Sequence, residues 1–204
     1  MSERKKLEPM TAAEVIAHRE ERLRNDPGYR AGVEAVEAER HNRVEALREA
    51  EQPIVTDLRS VGCQVGSVWD LVNASDPYPQ ALPVLLDHLK RGGYPDRVME
   101  SLGRALAVKP SVVYWDTLRG LYLSAQRPGE ETGLAVALAA CATTRQFDDL
   151  VALLREESRG STRIYFLRPI RRLRRQQGLE IIESLVDDPL FGREARARLP
   201  RRKA

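Results

Sequence analysis

The residues best suited to do chemistry are arginines with no acid among them. From Ser158 to Leu179 there is no carboxylate, while Arg159, Arg163, Arg168, Arg171, Arg172, Arg174 and Arg175 are all present. A guanidinium is permanently charged and donates from a planar fork, so a cluster of them suits phosphates or carboxylates. On one continuous helix Arg168, Arg171, Arg172 and Arg175 fall on one side at three- and four-residue spacing, with Arg163 just ahead of them. Such a stripe can track a phosphate backbone with salt-dependent affinity, or dock an acidic protein segment. A solvated basic face is the plainer alternative. Arg193, Arg196, Arg198, Arg201, Arg202 and Lys203 add positive charge near the end of the chain.

A second set pairs indoles with acids, as Trp69-Asp70 and Tyr114-Trp115-Asp116. Indoles placed this way usually fill gaps between helices; the functional alternative is an aromatic and acidic binding face. Little else suggests catalysis. His18, His41 and His88 are scattered without companions at ligand spacing and read as surface or rim histidines. No glycine-rich phosphate loop, nucleophile elbow or metal-binding pair occurs. No catalytic, cofactor-binding or metal-binding residue is expected, and no cofactor.

Composition narrows the setting. Hydrophobic residues make up 42% and aromatics 5%, which suits leucine- and alanine-rich helix packing better than an aromatic β core. Thirty-three basic residues against 30 acidic ones leave a net charge of only +3, so charge matters by location. Twenty-eight of the 33 are arginines, a bias that a GC-rich genome also produces. Cys63 and Cys141 are far apart and read as buried, reduced thiols. No apolar run approaches the ~20 residues that span a bilayer, and no signal-peptide core follows the charged N-terminus. The expectation is a soluble, cytoplasmic protein without a membrane partner.

The elements that must position the arginines are helices. Leu82, Leu85, Leu86 and Leu89 give one apolar stripe, and Val98, Leu102 and Leu106 give the next. Gly92-Gly93 supplies left-handed residues to end the first helix, and Pro95 suits the start of the second. Helices joined this closely form an antiparallel hairpin.

Here the chain resembles the HEAT-repeat family. Asp96, Val98, Ala105 and Leu106 stand in the register of that family's second helix, and Pro83 lies in the first helix, where the family often carries proline. Met99 departs from it, since arginine is commoner there. The resemblance implies an α-solenoid used for macromolecular binding. The first helices of this hairpin and its successors start near 79, 110, 146 and 178, a spacing of stacked helical pairs. They lack the tetratricopeptide and ankyrin signatures. Within HEAT-like DNA glycosylases, aromatic and acidic residues surround a damaged base, which is the remotest reading of Trp69, Asp70, Trp115 and Asp116.

The expected organisation is all-α: residues 1–10 disordered, 11–52 an N-terminal helical arm, 53–200 a HEAT-like solenoid with capping helices over 53–75, and 201–204 a basic tail. Thr11 to Glu14 reads as a capping box, and Asp26-Pro27 as a stop and restart. Pro53 is expected to open a separate short helix. The arm carries ten carboxylates against seven arginines between Glu14 and Glu51, so it can pack in cis, pair with a second copy or hold a partner. The function expected is a non-enzymatic protein-interaction scaffold. The alternative is a nucleic-acid binder that uses the arginine stripe.

Overall fold

The computed structural model describes residues 10–199. Of the segment 1–10 expected to be disordered, all but Met10 lies outside the described residues, as does the basic tail at 201–204 with Arg201, Arg202 and Lys203. Among the described residues the chain is all-helical, with eleven α-helices and no strand. It divides into two units, Met1–Ala46 and Leu47–Ala204.

The first unit holds α1 (Ala12–Asn25) and the opening of α2 (Pro27–Ser60). The capping box forms as expected: the Thr11 amide donates to Glu14 Oε2 at 2.7 Å, and the Glu14 amide donates to Thr11 Oγ1 at 3.4 Å. Asp26 then caps α2 by accepting from the Tyr29 amide at 2.9 Å. Arg30 donates to the Leu23 and Arg24 carbonyls, both at 2.8 Å, and so satisfies acceptors that the end of α1 leaves unpaired. No residue from 10 to 46 is buried.

In the second unit the expected break at Pro53 is absent, because α2 runs through it to Ser60. Proline inside a helix costs about 3 kcal/mol. Ile54, Val55 and Leu58 are all buried within the next turn and a half, and each contributes about 1.5–3 kcal/mol on burial. Packing therefore outweighs the missing hydrogen bond.

The remaining helices are α3 (Val68–Val72), α4 (Ala81–Arg91), α5 (Asp96–Ala105), α6 (Trp115–Ser124), α7 (Pro128–Cys141), α8 (Phe147–Arg155), α9 (Ile164–Leu173), α10 (Arg175–Ser184) and α11 (Gly192–Arg198). A 3₁₀ turn over Lys109–Tyr114 leads directly into α6. The turn between α4 and α5 has Gly92 at φ +64° and Gly93 at φ +83°, the left-handed conformation that glycine adopts without a Cβ penalty. Pro95 is the N-cap of α5 rather than its first residue.

Consecutive helices pack as α4 on α5, α6 on α7, α8 on α9 and α10 on α11, while α5, α7, α9 and α11 each pack on the next of that series. The α5–α7 crossing is close. A Cβ on Gly103 would lie 2.4 Å from the Gly133 carbonyl carbon, so only glycines permit that approach. Asp96, at the start of α5, accepts from the amides of Gly129 and Glu130 at 2.8 and 3.0 Å. It thereby caps α7, two helices further on. Leu85, Met99, Leu102, Leu118, Leu138 and Phe166 are fully buried in the core over which these helices meet.

Candidate functional site

A cleft of about 580 Å³ opens where α7, α9 and α11 meet. Val136, Ala139 and Ala140 of α7 give it an apolar floor of small side chains, extended by Pro169 and Tyr165 of α9. Arg168 and Arg172 line one side and Glu194 and Arg198 of α11 the other. Three guanidinium groups against one carboxylate make the cleft a basic groove.

The groove's charges are unequally committed. Arg198 is paired with Glu194 one turn away. Arg168 and Arg172 are exposed, and neither makes a hydrogen bond or ion pair within the described residues. Lys109 lies close enough to Arg172 to feel it: burial lowers the lysine's pKa, and repulsion from Arg172 lowers it further. Its ammonium donates to the Ala142 carbonyl at 3.4 Å. Cations held near one another without carboxylates to offset them favour an incoming anion.

The other arginines of the basic run do different work. Arg163 donates to the Gly160 and Leu154 carbonyls at 3.0 and 2.9 Å and lies over the Phe191 ring. Arg159 donates to the Tyr122 and Ala125 carbonyls at 3.2 and 2.8 Å, closing the end of α6. Arg174 reaches Asp148 at 3.1 Å and covers the Phe147 ring. Arg171 is half-buried, with its Nε lacking a hydrogen-bond partner.

The expected four-arginine stripe is therefore interrupted. The helix stops at Leu173, Arg174 is extended at φ −130° and ψ 89°, and Arg175 opens α10 instead of continuing α9. The cause is the close return of α10 onto α9. A Cβ on Gly178 would sit 2.3 Å from the Ile170 carbonyl oxygen, so the chain turns where that glycine fits.

The aromatic and acidic residues are not assembled into one site. Trp69 of α3 is half-buried under the Arg97 guanidinium, whose carbon lies 4.6 Å from the ring centre. Asp70 accepts from the Gly66 and Ser67 amides at 2.8 and 3.0 Å, as the capping carboxylate of α3. Trp115 is buried, and its indole donates to Asp149 at 2.8 Å, while Asp116 is exposed in the first turn of α6. The two indoles share no partner.

His88 departs from the surface position expected of it. It is 1% exposed, its Nε2 donates to Asp57 at 2.9 Å and its Nδ1 lies 2.6 Å from the Tyr94 hydroxyl. It ties α2 to α4 and to the turn before α5. Its position on α4 between Leu85 and Leu89 carries the signal, since residue 88 falls near the buried stripe. Val136, Ala139, Ala140, Tyr165 and Glu194 are groove residues that sequence reasoning did not single out; the run of small residues in α7 is the signal for the first three, and the sequence carries none for Tyr165 and Glu194.

Among the described residues, no group of three or more His, Cys, Asp or Glu side chains is placed to hold a metal ion, and no helix is long and apolar enough to cross a membrane. The chain matches no protein-family model, no curated protein and no solved structure with which it was compared.

Proposed function

We propose that this chain is a non-enzymatic, HEAT-like interaction scaffold whose basic groove receives an acidic segment of a partner protein. The observation that carries the reading is the pairing of two uncommitted guanidinium groups, Arg168 and Arg172, with the small apolar floor of Val136, Ala139 and Ala140. A segment presenting carboxylates beside small apolar side chains complements both features. Among the described residues Tyr165 is the only aromatic ring lining the groove. That favours protein over single-stranded nucleic acid, whose bases need several stacking platforms.

The HEAT-like part of the proposal draws support from the successive packing of α5, α7, α9 and α11 and from the Asp96 cap that links one hairpin to the next. Cys63 and Cys141, both unpaired and buried, suit the reducing cytoplasm as its setting.

The test is photo-crosslinking in native cells from a photoreactive residue at Ala140, with and without Arg168→Glu and Arg172→Glu. A discrete, nuclease-resistant protein adduct that disappears in the charge-reversed double variant supports the groove. An adduct that persists in that variant overturns it. An adduct that vanishes with nuclease moves the nucleic-acid alternative to first place.

A further inference from the structure

One face of α2 continues through both units with a single helical period. Within Leu47–Ser60 that face carries Leu47, Ile54 and Leu58, the last two fully buried in the core. Stepping back by threes and fours, the same face carries Val44, Arg40, Val36, Val33 and Tyr29. These residues are apolar at four positions of five, yet Val36 is 67% exposed and Val44 40%. A cleft of about 550 Å³ runs along this stretch, lined by Tyr29, Val33 and Val36 with Glu37, Arg40 and Arg19 of α1.

Charge is uncommitted there as well. Glu37 and Arg40, three residues apart, do not pair with each other, and neither makes a hydrogen bond or ion pair within the described residues. A partner that covers this face must bring apolar side chains for the valines, an acid for Arg40 and a base for Glu37.

We infer that the occupant is a second copy of this chain, with α2 of one protomer packed antiparallel on α2 of its partner over Val33–Val44. A two-fold axis passing between Ala38 and Glu39 sets Val33 against the partner's Val44 and Arg40 against the partner's Glu37. Each contact occurs twice by symmetry, as an isologous interface requires. Alignment by residue sum gives both pairs the same register, so the valines and the charges agree on one arrangement. This interface lies in the first unit, uses none of the groove residues and stands independently of the groove's function.

The experiment is sedimentation equilibrium of the full chain over a wide concentration range. The chain mass is 23.0 kDa, and the expected result is a reversible species of twice that mass. Val36→Glu, at a position exposed enough to leave folding intact, abolishes the dimer while circular dichroism shows unchanged helix content. Arg40→Glu and Glu37→Arg each weaken association by about tenfold or more, because each sets like charges face to face. The double variant Glu37→Arg/Arg40→Glu restores it. A wild-type chain that stays monomeric at all concentrations overturns the inference and leaves the face to a different protein. A dimer indifferent to Val36→Glu, or a double variant that fails to recover, overturns it equally.

Discussion

The two halves of α2 present the same face to different surroundings. From Leu47 to Leu58 it is covered, with Ile54 and Leu58 at 0% exposure and Glu51 tucked against the hydroxyl of Ser67 at 2.7 Å. From Tyr29 to Val44 the same spacing of apolar residues has no buried member: Tyr29 and Val33 are half-buried, and Val36 and Val44 are exposed. Periodicity specifies which side of a helix is fit to be buried. It does not specify what covers that side, so one pattern supplies a core in one unit and an open surface in the other.

The largest expected effect tests that contrast directly. Leu58→Ala should destabilise the second unit by about 2–5 kcal/mol, the usual cost of a cavity in a packed core. Val36→Ala in the monomeric chain should cost within about 0.5 kcal/mol, as for a surface position. Urea unfolding followed by tryptophan emission measures the first change, since Trp69 and Trp115 both lie in the second unit. Comparable losses at the two sites would mean that the bare face is covered even within a single chain.

A smaller effect concerns how tightly the covered half's own unit is assembled. At Gly133 an added Cβ would lie 2.6 Å from the Glu100 carbonyl oxygen. Helix backbones cannot yield there as a flexible side chain would, so Gly133→Ala should cost about 1–3 kcal/mol despite alanine's better helix propensity. A stabilised variant in the same urea titration would show that α5 and α7 can move apart freely.

The polar link between α2 and α4 should matter less. Asp57 holds the buried His88, but its own carboxylate is half exposed, so water can replace it in part. Asp57→Ala should cost about 1 kcal/mol, the net value of one hydrogen bond. A loss no greater than that of Val36→Ala would show that His88 finds another partner without penalty.

The parts legible in the sequence are those decided locally. The Thr11 capping box, the Gly92-Gly93 turn and the apolar stripes of α4 and α5 depend on neighbours within a few residues, and each appears where expected. Decisions made by distant neighbours were hidden. Pro53 stays helical because Ile54 and Leu58 are covered by residues far along the chain. The arginine stripe ends early because Gly178 fits against the Ile170 carbonyl, a contact that no pattern of arginines announces. The groove was half legible for the same reason: its cations stand out as a run, whereas its floor comes from a different helix.

The two halves also differ in which end of the pH scale disturbs their units. In the first unit, hydrogen bonds from Thr11 hold Glu14 below its usual range, and the Tyr29 amide does the same for Asp26. Their stabilising contribution is complete above the ordinary carboxylate range and is lost as pH falls through the depressed values. In the second unit, burial pushes Cys141 and Tyr122 each up to about 12. Unfolding frees both to ionise near their ordinary values of 9.0 and 10.0. Stability is therefore full below that range and falls as pH rises toward 12, at about 1.4 kcal/mol per pH unit for each group titrating only in the unfolded chain. Acid should lower the helical circular dichroism before it alters tryptophan emission, whereas alkali should change both together. Cys141→Ala and Tyr122→Phe should each flatten the alkaline decline. If neither does, the loss at high pH originates in groups other than these two, and the contrast between the units does not extend to their titration.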